Sequence, residues 1–134
     1  MKTSVNNKCK AFTSLEQSKK LAEILPIESA DYHYITQGEN QYLYPYTLTP
    51  EQIKDYDKNI QYIPCWSVSA LLSIAPVEDI YITPNFDGKV VVIPEFKDEK
   101  GTYTSEDAYF TGETLVDACF NMVVWLLKNG YIKK

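Results

Sequence analysis

Between Thr13 and Pro26, Leu15, Ser18, Ala22 and Leu25 recur on one helical face with Leu21 beside it, while Glu16 and Lys20 form an i,i+4 pair on the wet side. Thr13 with Glu16, or alternatively Ser14 with Gln17, supplies a capping box, and Pro26 stops the run. The pattern predicts an amphipathic helix over 14–25. Asp31–Thr36 and Gln41–Thr47 then read as two aromatic-rich strands joined across Gln37-Gly38-Glu39-Asn40. Pro45 has no N–H to give a ladder, so the second strand is expected at a sheet edge or to end there. Thr49-Pro50-Glu51-Gln52 carries a cap, a proline at the first helical position and a capping-box glutamine, which predicts a short polar surface helix over 50–58.

Farther on, Ile60–Pro64 leads into Cys65–Pro76, where Val68, Leu71, Leu72 and Ala75 at helical spacing predict a short buried helix over Ser67–Ala75. Asp79–Pro84 and Lys89–Pro94 flank Asp87-Gly88, the signature of a tight hairpin between β-branched runs. A second turn at Asp98–Gly101 leads to Thr102–Thr104, extending the hairpin into a three-stranded meander, with Ala108–Thr111 as a candidate further strand. The last element, Thr114 to Gly130, aligns Leu115, Cys119, Met122 and Leu126 on one face with Ala118 and Trp125 beside them. Thr114 and Asp117 form its N-terminal cap pair, Lys128 suits its negative end and Gly130 follows as C′. The expected fold is α+β: one domain over 1–134, with a small antiparallel sheet containing the Asp87-Gly88 hairpin. The C-terminal helix and the Ser67–Ala75 helix cover that sheet, and the N-terminal helix packs at an edge.

Composition narrows the function classes. The chain has 134 residues, 45% apolar and 23% charged, the balance of a folded domain and not of a disordered chain. Its 13 basic residues are all lysine against 18 acidic ones, a net charge of −5. Without arginine's planar fork, a net-acidic chain is poorly equipped for duplex nucleic acid. Translation from an AT-rich genome accounts equally for a chain rich in Lys, Asn, Ile and Tyr and lacking Arg. The N-terminal ten residues hold no apolar core of a secretory signal, and the longest strongly apolar stretch, Met122–Leu127, is six residues, so a cytoplasmic protein without a membrane span is expected. Cys9, Cys65 and Cys119 lie more than 50 residues apart, which predicts free thiols. With His33 as the single histidine, no metal site is expected. Glycines at 38, 88, 101, 112 and 130 cannot form a phosphate-cradling loop, and no cofactor is expected.

Three groups of residues could carry chemistry. Cys65 follows Pro64 at an expected helix start, where backbone N–H groups would lower its pKa, and with His33 it would serve a small hydrolase or transferase. The Cys65-Trp66 pair matches papain-like proteases in two residues only, without their glycine pattern and with the histidine upstream, and that likeness is rejected. The plainer reading of Cys65 is a buried structural thiol beside a core tryptophan. Tyrosine is the outlying residue type, 11 of 134. Tyr42, Tyr44 and Tyr46 project from a single face of their strand, as Tyr32 and Tyr34 do from the neighbouring one, and with Trp66 nearby they form a candidate stacking platform. Cross-strand pairing and genomic bias are the competing explanations. Glu95, Asp98, Glu99, Glu106, Asp107, Glu113 and Asp117 read as a solvated acidic rim set by turn and helix-start chemistry. The leading expectation is a non-catalytic protein that binds a protein or small ligand, with the Cys65 and His33 enzyme as the alternative.

Three segments, Leu15–Pro26, Pro64–Leu72, and Asp117-Ala118-Cys119 with Trp125-Leu126-Leu127, together resemble small uncharacterised proteins of prophages and mobile elements in gut Bacteroidales. The resemblance covers most of the chain. It implies a bacterial or phage-infected cytoplasm and carries no assigned activity or site residues.

Overall fold

A computed structural model describes residues 11–55, 59–75, 79–84, 87–98, 101–103 and 109–132. In chain order these form α1 (Leu15–Ala22), a 3₁₀ turn (Ile27–Ser29), β1 (Tyr32–Gln37), β2 (Asn40–Tyr44), α2 (Pro50–Lys54), β3 (Ile60–Cys65) and α3 (Val68–Ile74). They continue with β4 (Asp79–Pro84), β5 (Val90–Asp98), β6 (Gly101–Tyr103), β7 (Phe110–Gly112) and α4 (Leu115–Lys128). The class is α+β, with the strands divided between two antiparallel sheets where patterning suggested one. The expected helix end at 56–58, Thr104, Ala108, Cys9, Glu99, Glu106 and Asp107 lie outside the described residues.

The first sheet has the order β2-β1-β3. The β1–β2 hairpin forms as patterned, and β2 is an edge strand that stops at Tyr44, directly before Pro45. β3 occupies what the sequence suggested was a lead-in to the next helix. Pro64 is tolerated in it because an edge strand has one side that needs no ladder bonds. On the inner face, Tyr34, Ile63 and Cys65 pack with Tyr32, Leu43, Phe12 and Leu15. The Tyr34 hydroxyl donates to the Thr13 carbonyl at 2.8 Å, and burial there pushes its pKa up. α1 begins with the Ser14–Gln17 capping box, its two hydrogen bonds at 3.0 and 3.1 Å.

In the second sheet, β5 pairs with β4 on one side; on the other it meets β7 along Val90–Val92 and β6 along Phe96–Asp98. Pro94, where the sequence suggested the strand would end, sits in the gap between those two partners, so a central strand continues through a residue that cannot donate. Pro84 pairs with Val90, leaving 85–89 as a longer connection than the expected tight turn. Gly88 adopts φ +83° within it, a conformation that L side chains resist.

α4 is the spine of the main core. Val116, Ala118, Cys119, Phe120, Met122, Val123 and Leu126 are buried against Val92 of β5, Phe110 of β7, Leu21, Leu25, Leu71 and Trp66. Each large apolar side chain buried this way contributes about 1.5–3 kcal/mol. Thr114 caps the helix by accepting the Asp117 N–H at 3.1 Å. The Asp117 carboxylate accepts from Gln17 Nε2 at 2.8 Å and so ties α4 to α1.

Candidate functional site

Pairing register decides which tyrosines share a face. His33 stands opposite Tyr44 and Pro64, and Ile35 stands opposite Tyr42 and Tyr62, so these six residues belong to the outer face of the first sheet, away from Phe12 and α1. The His33 ring is fully buried between Tyr44 (centroids 5.1 Å apart, planes 23°) and Tyr62 (4.9 Å, 24°), with Tyr46 edge-on at 5.1 Å. Beyond β2 the chain folds back over this face. The Tyr46 carbonyl bonds His33 Nδ1, and the Leu48 N–H donates to the Tyr62 hydroxyl at 3.3 Å. Because a carbonyl only accepts, Nδ1 carries the proton of that bond. Nε2 on the far side of the ring is buried with no hydrogen-bond partner among the described residues. Tyr44 and Tyr62 are half-buried, whereas Tyr42 is 48% and Tyr46 52% exposed.

The candidate stacking residues are therefore sorted by register. Tyr42, Tyr44 and Tyr46 lie together on the outer face, but Tyr32 and Tyr34 point the other way, into the inner cluster. Trp66 does not reach this surface: it is fully buried in the main core, and its Nε1–H donates to Ser29 Oγ at 2.9 Å. Tyr62 replaces it. Sequence reasoning missed Tyr62 because β3 went unrecognised, although the spacing of Ile60, Tyr62 and Pro64 already placed it on one face of a strand.

Cys65 ends β3 and is not at a helix start. Ser67 is the N-cap of α3, accepting the Ala70 N–H at 3.1 Å, so Cys65 lies outside the helix whose dipole was expected to activate it. Its thiol donates to the Thr13 carbonyl at 3.4 Å, and burial pushes its pKa up, the reverse of the expected lowering. Cys65 pairs with Tyr32 on the inner face, and the sheet itself separates it from His33 on the outer one. The pair therefore cannot act as nucleophile and base.

Cys119, buried in α4, is pushed from its ordinary 9.0 up to about 11 by desolvation. A thiol whose pKa is raised on folding favours the folded state fully below its unfolded pKa, and that contribution is lost as pH climbs through about 11. In a Cys9→Ser background, a thiol reagent at neutral pH should therefore label neither Cys65 nor Cys119 until denaturant is added. Rapid labelling of either one in the folded protein would contradict this assignment.

Among the described residues no group of three His, Cys, Asp or Glu side chains could hold a metal ion, and no helix is long and apolar enough to cross a membrane. No protein-family model matches the chain, and no curated protein or solved structure matches it either.

Proposed function

We propose that this protein works by binding and not by catalysis, and that the outer face of the first sheet is its contact surface for a polypeptide partner. The observation that carries this reading is His33, a buried imidazole held between two tyrosines whose Nε2 has no hydrogen-bond partner among the described residues. Leaving a buried polar atom unsatisfied costs about 1–3 kcal/mol, which sheet stability alone gives no reason to retain. Tyr44, Tyr62 and His33 form a rigid base, and the half-exposed rings of Tyr42 and Tyr46 stand on it as contacts of low ordering entropy, the kind of residue enriched at interfaces. The likeness to small mobile-element proteins supports an accessory role in a bacterial or phage-infected cytoplasm. The test is to remove the Tyr42 and Tyr46 rings together and ask whether a bound polypeptide is lost while the fold is kept.

A further inference from the structure

Among the described residues the second sheet ends at β4, which pairs only with β5 and has five of its six residues exposed. Ile80 and Ile82 lie on the same side as buried Val92 and Pro94, because Ile82 stands opposite Val92 and Ile80 opposite Pro94. α4 packs on β7 and β5; Ile80 still packs against the main core, whereas Ile82, farther along the strand, is left 49% exposed. Tyr81 is 51% exposed on the opposite face, its hydroxyl donating to Glu95 at 3.3 Å. Natural edge strands are usually blunted by lysine, proline, inward-pointing charge, bulges or extreme shortness. In β4 the only charge is Asp79 at its first position and the only proline is Pro84 at its last, which leaves Ile80–Thr83 without either device.

We propose that β4 pairs antiparallel with β4 of a second copy of this chain, centred on Tyr81, to make one continuous sheet across a twofold axis. The strand is self-complementary in that register. A twofold axis perpendicular to the sheet keeps each face on its own side, so only residues of equal parity meet. Tyr81 then faces Tyr81 of the partner subunit on the outer side. Ile80 faces the partner's Ile82, and Ile82 the partner's Ile80, on the core side, extending the apolar face of the sheet. Asp79 faces the partner's Thr83, so the two carboxylates are held at opposite ends of the ladder. Pro84, which cannot donate, falls outside the paired stretch, whereas a centre at Ile82 would bring it in.

Sedimentation and disulfide trapping test both the partner and the register. The wild-type chain at micromolar concentration should sediment at twice its 15.4 kDa mass, and Ile82→Lys, a change at an exposed position, should fold as before and sediment as a monomer. In a Cys9→Ser background, Tyr81→Cys should oxidise to a linked dimer because the two thiols meet at the axis, and Thr83→Cys should not. A monomeric wild-type chain would overturn the proposal, whether the edge stays free or takes a strand from another protein. Equal trapping of both cysteine variants would overturn the register.

Discussion

Leu126→Asp leaves the protein unfolded. Leu126 has no exposed surface and belongs to the same buried cluster as Trp66, Leu71 and Val92. Truncating a buried leucine costs about 2–5 kcal/mol, and an unpaired carboxylate placed there adds several more. Together these reach the 5–15 kcal/mol, approximately, that holds an ordinary domain folded. Circular dichroism should show loss of the cooperative thermal transition for Leu126→Asp, while the volume-conserving Leu126→Met keeps it within roughly 1.5 kcal/mol of wild type. A melt of Leu126→Asp that overlays the wild-type curve would mean α4 is not the spine of the core.

Gly112→Ala should be the most damaging change of a single methyl group. Gly112 ends β7 just before α4, and a Cβ there would lie 2.6 Å from the Ala118 nitrogen and 2.9 Å from the Asp117 carbonyl carbon. Those are backbone atoms of the first helical turn, held by the Thr114 cap, and they cannot yield without moving the helix off the strand. Overpacking of this kind costs about 3 kcal/mol, or roughly 10 °C in Tm for a chain of this size. Gly38→Ala is the informative comparison. Gly38 has φ +60°, and a methyl group added there would meet nothing within 4 Å, so only the conformational penalty of about 1–2 kcal/mol applies. Thermal melts should rank Gly112→Ala below Gly38→Ala; equal melting temperatures would show that the β7–α4 approach is looser than these distances imply.

The parts of this fold legible in the sequence are those decided by neighbours in the chain. Ser14 with Gln17 and Thr49 with Gln52 close their capping boxes, and the periodicity of α4 identifies Cys119, Met122 and Leu126 as buried. What could not be read depends on partners distant in sequence. Proline at 64 and 94 looked like strand punctuation, and only the positions of β1, β6 and β7 reveal that one lies on an edge and the other in a gap between partners. The division into two sheets is non-local in the same way, since β7 returns to β5 after β6 has already paired with it.

The candidate site divides along the same line. Period-two spacing grouped Tyr42, Tyr44 and Tyr46, which the structure places together. It could not show that Tyr32 and Tyr34 face inward, that Trp66 belongs to the core, or that Tyr62 of β3 reaches diagonally onto His33 of β1. Each of those depends on strand pairing. The expected activation of Cys65 failed for a local reason: the helix begins at the Ser67 cap, two residues too late.

The most direct test of the proposed binding face compares intact wild-type protein with Tyr42→Ser/Tyr46→Ser, using Tyr109→Ser as an exposed-tyrosine control, in both thermal melting and capture of polypeptides from a cell lysate. The hydrogen bond from His33 to the Tyr46 carbonyl is to backbone and survives the substitution, so the double variant should melt within about 1 kcal/mol of wild type. It should also lose a polypeptide that wild type and Tyr109→Ser both retain. A double variant that unfolds would show these rings to be structural, and one that keeps every captured polypeptide would place the contact surface elsewhere; either result contradicts a tyrosine contact face on the first sheet.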